Sequence, residues 1–201
     1  MLKIFHAPLS RSVKIVWLAE EMGLPYQLQL ETFGKPSPEL LAANPCGAFP
    51  AIQDGAVGMG ESPAIMHYMT ERYGPTPMAL RPSDDRYADY IEMLMFGEAS
   101  LAAYLNPLVA TQFRAPEDQK ENYTVQACRE MFKSRLKVVE RQLDKGDYMA
   151  GDFTAADISV GYALGLGDMI GLSAGYSPKV ADYVARVRAR PAYATATAKP
   201  S

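Results

Sequence analysis

Cysteine and histidine are scarce in this chain: Cys46 and Cys128, His6 and His67 are the only ones in 201 residues. The two cysteines lie far apart with no Cys-x-x-Cys pair, so they indicate neither a disulfide framework nor a thioredoxin-type dithiol centre. Two histidines without an acidic cluster beside either supply too few ligands for zinc, and no metal is expected. Surplus positive charge is missing as well. Twenty Lys and Arg stand against 23 Asp and Glu, a formal net charge of −3 with a pI near 5.5. With no basic stripe, nucleic acid is not an expected partner. No 18-residue apolar run is visible, and Met1-Leu2-Lys3-Ile4-Phe5 reads as a strand rather than a signal peptide, so the expectation is a cytoplasmic protein without a membrane segment. Apolar residues are plentiful, 48% of the chain, enough for the core of one large domain or two modest ones.

The order of elements is legible from periodicity. Residues 2–7 read as a strand, 12–23 as a helix stopped by Gly23, and 24–32 as a half-buried strand alternating around Tyr26, Leu28 and Leu30. A helical turn at 39–43 precedes a hairpin of 49–53 and 56–59 around Asp54-Gly55, and a helix from Ser62 to Tyr73 ends at Gly74-Pro75. This is βαβ followed by ββα, a thioredoxin-like domain over residues 1–76. Pro77, Pro82 and the lack of apolar period mark 77–84 as a linker.

Residues 85–201 read as an all-helical domain. Tyr87, Tyr90, Ile91, Leu94, Leu101 and Leu105 form one apolar face, which Asn106-Pro107 should kink or break. A second long helix is expected from about Pro116 to Leu143, with Tyr123, Ala127, Met131, Leu136, Val139 and Leu143 inward. Thr154-Ala155-Ala156-Asp157 is a capping-box pattern opening a helix to about Ile170, apolar almost all round, whose Gly161, Gly165 and Gly167 suit close helix approach. Ser177, as cap, and Pro178 open a last helix that ends near Arg190-Pro191.

Chemistry concentrates in Asn44-Pro45-Cys46-Gly47-Ala48-Phe49-Pro50-Ala51-Ile52 and Glu61-Ser62-Pro63-Ala64-Ile65. A turn-rich segment runs into a short strand, and an acid-serine pair opens a helix with Ser62 as N-cap and Pro63 at the first position. The unpaired N–H groups of that first turn attract a carboxylate, which suits a small anionic peptide. Together with Gly151-Asp152-Phe153-Thr154-Ala155-Ala156-Asp157-Ile158 and Arg190-Pro191-Ala192-Tyr193, these motifs span nearly the whole chain. In order and spacing they resemble the cytosolic glutathione S-transferases, of the bacterial-like serine or cysteine type.

The resemblance implies a cis Phe49-Pro50 peptide, with the Phe49 backbone pairing with the cysteinyl part of glutathione and Ala48 and Pro50 among the glutathione-binding residues. It implies that Ser62 and its helix take the γ-glutamyl carboxylate while Glu61 holds the amine. By itself, Pro50 reads as an ordinary turn proline before an edge strand, and Glu61-Ser62 reads equally as plain helix capping. Glutathione would be the co-substrate, used as a thiolate; lowering a thiol pKa from about 8.5 by about two units needs roughly 2.7 kcal/mol. One charge-assisted hydrogen bond is worth about 1.5 to 3 kcal/mol, so a single hydroxyl is adequate.

The loop Ala7-Pro8-Leu9-Ser10-Arg11-Ser12 offers two hydroxyls and no tyrosine. Ser10 is favoured over Ser12, because Ser12 immediately precedes Val13 and is the more natural N-cap; both also read as structural. A small hydrophobic electrophile would bind beside Leu9 and helical-domain aromatics, Tyr104, Phe113 and Tyr162 being candidates. The resemblance also implies a symmetric homodimer. It leaves open peroxide reduction, ether cleavage, dehalogenation or isomerisation by the same thiolate, and a non-catalytic glutathione-fold binding or regulatory protein.

Overall fold

The computed structural model describes residues 1–198 and divides into two compact units. The first comprises Met1–Ala79 with the C-terminal segment that starts at Ala189; the second is Leu80–Arg188. Its boundary falls inside the expected 77–84 linker. The closing segment, expected in the helical domain, belongs instead to the first unit.

That unit is built as β1 (Leu2–His6), α1 (Ser12–Glu21), β2 (Tyr26–Leu30), α2 (Pro38–Ala43), β3 (Ala51–Asp54), β4 (Val57–Met59) and α3 (Ser62–Arg72). The sheet order is β2-β1-β3-β4, with β1 parallel to β2 and the other pairs antiparallel. This is the thioredoxin-like βαβαββα order. Ile4 and Phe5 of β1 and Val16, Trp17 and Leu18 of α1 are buried, so the central strand carries side chains in the core on both faces. The hairpin turn is shifted by one residue from the expected Asp54-Gly55. Asp54 pairs with Val57, leaving Gly55 and Ala56 as the loop, and Gly55 at φ +60° takes the first central position that a II′ turn reserves for glycine. Asp54 accepts from Tyr73 (2.7 Å) and Tyr68 (2.9 Å), which ties α3 to the hairpin. Burial and the Asp54 carboxylate push the Tyr73 phenol up to about 12.

The second unit opens with α4 (Tyr87–Phe96), a π-helical turn (Gly97–Ala102) and α5 (Ala103–Arg114), one continuous helix. The break expected at Pro107 does not occur. The π turn ends at Ala102, one residue before Ala103, the carbonyl that Pro107 deprives of its i+4 donor. At 28 residues and mean hydropathy 1.2 over its most apolar window, this helix is long and apolar enough to cross a bilayer, contrary to the sequence reading. Its Tyr90, Met93, Leu94, Leu101 and Leu105 are nevertheless buried within the unit, as in a core helix.

The long helix expected from Pro116 begins later, as α6 (Tyr123–Leu143), because the Asn122 side chain caps it by accepting from Val125 N–H (3.1 Å). The buried face matches the expected one at Leu136, Val139 and Leu143 and departs from it in the N-terminal half of the helix. Val125, Phe132, Leu136, Val139 and Leu143 are inward, while Tyr123 is 85% and Met131 45% exposed. The helix α7 (Ala155–Met169) is buried along most of its length. A Cβ on Gly167 would meet Tyr176 Oη at 2.3 Å, and one on Gly97 would meet the Ser159 backbone and hydroxyl within 2.6 Å, so close approach is achieved at those two glycines.

Two further helices complete the described chain, α8 (Pro178–Arg188) and α9 (Pro191–Thr197). The Ser177 hydroxyl does not cap α8, since it has no hydrogen-bond partner among the described residues. Helix α9 lies on α1 within the first unit, with Tyr193 edge-on to Trp17 at 4.9 Å.

Candidate functional site

Sheet register brings three loops to one end of the first unit. Phe5 pairs with Ala51, so the loop leaving β1 lies beside the segment that enters β3; Ile52 pairs with Met59, so β4 delivers the start of α3 to the same end. Residues 7–12, 44–50 and 60–62 thereby form one rim, although they are distant in sequence.

In the first loop, Leu9 has φ +61°, a left-handed conformation costing a residue with Cβ about 1 to 2 kcal/mol. Its side chain is 81% exposed. Ser10 N–H donates to Ala7 O (3.2 Å), closing the turn. Ser12 is the first residue of α1 and not its cap. Arg11 holds the cap position without a side-chain cap bond, and the Ser12 oxygen is engaged outside the helix. Ser12 Oγ lies 2.9 Å from His6 Nδ1 and 2.6 Å from Ser10 Oγ, accepts from Ala7 N–H (3.3 Å), and is 3.3 Å from Ala7 O. Ser10 Oγ in turn accepts from Ser12 N–H (3.2 Å). Ser12 and His6 are buried, and Ser10 retains 7% exposure. Sequence reasoning passed over His6; a polar ring at the end of a buried strand, beside two serines, was the available signal.

The second loop is shaped by Asn44. Its Oδ1 accepts from Cys46 N–H (3.2 Å), its backbone carbonyl from Gly47 N–H (2.8 Å), and its Nδ2 donates to Ala48 O (3.0 Å). Gly47 sits at φ +60°, which this turn requires. The Phe49-Pro50 peptide is cis. Phe49 packs on the cluster of Phe5, Leu40, Ala43 and Ala51 and meets Phe33 edge-on at 5.3 Å. Cys46 is a free, exposed thiol at the turn.

At the third loop the cap of α3 falls one residue earlier than expected. Glu61 is the cap, exposed and with no side-chain cap bond, while Ser62 is the first helical residue and is buried. Pro63 follows at the second position, where its missing N–H costs nothing.

The expected wall residues of the second unit lie on α5 and α7. Tyr104 is half-buried, accepts from Arg135 Nη2 (3.2 Å) and carries that guanidinium 5.1 Å from its ring centroid. Phe113 is 64% exposed, and Tyr162 is half-buried on α7. A separate cavity of about 280 Å³ in this unit lies among Leu108, Thr111, Lys120, Val125, Arg129 and Leu172, and holds none of the expected site residues.

The capping box at the start of α7 is formed. Thr154 Oγ1 accepts from Ala156 N–H (3.3 Å), while Asp157 accepts from Thr154 N–H (2.9 Å), Met149 N–H (2.9 Å) and Tyr183 Oη (3.0 Å). Burial pushes the Asp157 carboxyl up to about 6, against the opposing pull of these donors.

Comparison with known proteins agrees with this geometry. Residues 4–77 match the model of the glutathione S-transferase N-terminal domain. The chain is 32% identical over 170 residues to a probable glutathione S-transferase, GSTF2, of Oryza sativa, covering 79% of this chain and 77% of that one. It is 29% identical over 179 residues to glutathione S-transferase 3 of Schizosaccharomyces pombe, covering 78% and 70%. In three dimensions it superposes on a glutathione transferase family member from Pseudomonas fluorescens, solved with two glutathione bound, with a TM-score of 0.86 over 99% of this chain and 93% of that one at 24% identity. By sequence over most of both chains, and by an architecture built from the same elements, this chain belongs to the glutathione S-transferase family.

Proposed function

We propose that this glutathione transferase activates glutathione at the rim formed by residues 7–12, 44–50 and 60–62, with Ser10 as the hydroxyl that stabilises the thiolate for attack on a small hydrophobic electrophile. The observation that carries this reading is Ser10 itself. It stands at the loop tip before α1 with residual exposure, while Ser12 is fully enclosed and bonded to His6. A thiolate accepting from Ser10 replaces the ordered water a free thiolate needs, and a fixed donor costs no reorganisation at the moment of attack.

We assign the peptide part of glutathione to Ala48, Phe49 and Pro50, whose backbone is held by Asn44, and the γ-glutamyl end to Glu61, Ser62 and the first turn of α3. The electrophile is assigned to apolar groups open to solvent, Leu9 and Phe113, with Tyr104 and Tyr162. No metal enters the scheme. A homodimer belongs to this reading, and two free thiols support a cytoplasmic setting.

Titration calorimetry with glutathione, followed by turnover on a panel of small electrophiles, tests the proposal. Binding with turnover is the expected outcome. No binding at millimolar glutathione would overturn it, and binding without turnover would replace the enzyme by a binding protein.

A further inference from the structure

We propose that His6 is a positioning residue whose protonated Nδ1 orients a chain of two hydroxyls, so that the Ser10 proton is directed out of the loop toward the thiol. This rests on the assignment of Ser10 above. It follows from counting protons and lone pairs in the buried group of His6, Ala7, Ser10 and Ser12.

Each serine hydroxyl has one proton and two acceptor positions. If Nδ1 of His6 were bare, the 2.9 Å contact would require Ser12 to donate to it. The 2.6 Å contact between the hydroxyls would then require Ser10 to donate to Ser12. Ser10 would have spent its only proton inside the loop and could offer a thiolate nothing but lone pairs.

With Nδ1 protonated the direction reverses. His6 donates to Ser12 Oγ, and Ala7 N–H donates to the same oxygen at 3.3 Å, which fills both acceptor positions of Ser12. Ser12 cannot then accept from Ser10 and must be the donor across the 2.6 Å contact; its other acceptor, Ala7 O at 3.3 Å, is the longer and weaker one. Ser10 Oγ now accepts from the Ser12 hydroxyl and from Ser12 N–H at 3.2 Å. Both its acceptor positions are taken, so its proton is the one free end of the chain, on the one hydroxyl of the pair with residual exposure. A chain polarised in one sense strengthens the terminal donor. Either the neutral Nδ1–H tautomer or the imidazolium supplies the required proton.

Two measurements test this, and the first needs no glutathione. Imidazole nitrogen shifts of isotope-labelled protein report which ring nitrogen carries the proton, and with only two histidines the His67→Gln variant assigns the signals. A protonated Nδ1 on His6 is expected; a bare Nδ1 overturns the proposal even if Ser10 is correctly assigned. The second follows the ultraviolet absorbance of bound glutathione thiolate against pH in His6→Leu and His6→Asn, the latter restoring an N–H donor near the Nδ1 position. His6→Leu should move the thiol pKa toward its free value and cut the thiolate fraction at neutral pH roughly 3- to 10-fold, with KM for glutathione little changed, and His6→Asn should recover most of it. A wild-type thiol pKa in His6→Leu overturns the proposal. Loss of glutathione binding by the wild-type protein would instead defeat the functional reading, leaving the tautomer measurement to judge His6.

Discussion

Glu21 and Arg190 form a bidentate ion pair across 169 residues, Arg190 Nε donating to Oε1 at 2.6 Å and Nη2 to Oε2 at 2.8 Å. Trp17 Nε1 also donates to Glu21 Oε1, at 3.0 Å, and the same Trp17 packs edge-on against Tyr193. The Glu21 side chain is only 9% exposed, so the carboxylate depends on these donors for the hydration it has lost. Arg190 is the residue before α9, and the pair therefore fixes the closing helix to α1. Arg190→Ala should destabilise the protein by about 1.5 to 3 kcal/mol. Arg190→Lys should recover only part of this, because a lysine cannot make the planar two-point contact. Chemical denaturation of the three proteins measures both; equal midpoints would show that α9 is held by its apolar contacts alone.

The capping box carries a pH dependence of defined sign. The Asp157 carboxyl titrates near 6 in the fold against an ordinary value of 3.8, so between about pH 4 and 6 the folded chain holds a proton that the unfolded chain has released. Stability contributed by this group therefore falls as pH rises through that window and is flat above it. Against Asp157→Asn, which cannot titrate, the wild-type advantage should shrink by on the order of 1 to 3 kcal/mol from pH 4 to pH 7. A difference independent of pH would mean that Asp157 titrates at its ordinary value. Thr154→Ala should cost about 0.5 to 2 kcal/mol at any pH.

Gly97 sets two effects against each other. Alanine should gain about 1 kcal/mol of helix propensity, but its Cβ would lie 2.5 Å from the Ser159 carbonyl carbon and 2.6 Å from its oxygen, which are backbone atoms of α7 and cannot rotate away. Overpacking typically costs about 1 to 3 kcal/mol, so Gly97→Ala should be destabilising on balance. A raised thermal midpoint would show that the π turn and α7 part without loss.

Ser10→Ala should raise the pKa of bound glutathione and lower turnover at neutral pH roughly 10- to 150-fold, with binding changed much less, the consequence of losing a bond worth about 1.5 to 3 kcal/mol. Ser12→Ala should act in the same direction more weakly, since Ser10 keeps its own proton. If Ser12→Ala produces the larger shift, the roles within the loop are exchanged.

Light scattering should report a dimer in the micromolar range, as a symmetric pairing of two copies requires. A monomer throughout that range would remove the dimer from the proposal.

Much of this protein is determined by local sequence. Alternation and helical period, Gly23, the hairpin glycine and the Thr154-to-Asp157 spacing each act over a few residues, and the elements they specify appear in the expected order. The one-residue shift at Ser62 arises because a cap and a first helical residue differ only in backbone angle, and the shift at the hairpin arises because the Asp54–Val57 pairing decides which two residues form the loop. What the tertiary structure decided are relationships between distant parts. Periodicity could not select Phe132 over Met131 for the buried face of α6, because the neighbouring helices choose the face. The membership of α9 in the first unit depends on Glu21 and Trp17, far away in sequence. The engagement of Ser12 by His6 depends on how β1 delivers a ring to the loop that follows it. A local pattern identifies groups able to cap or donate; which partner each one meets is decided only when the chain has closed on itself.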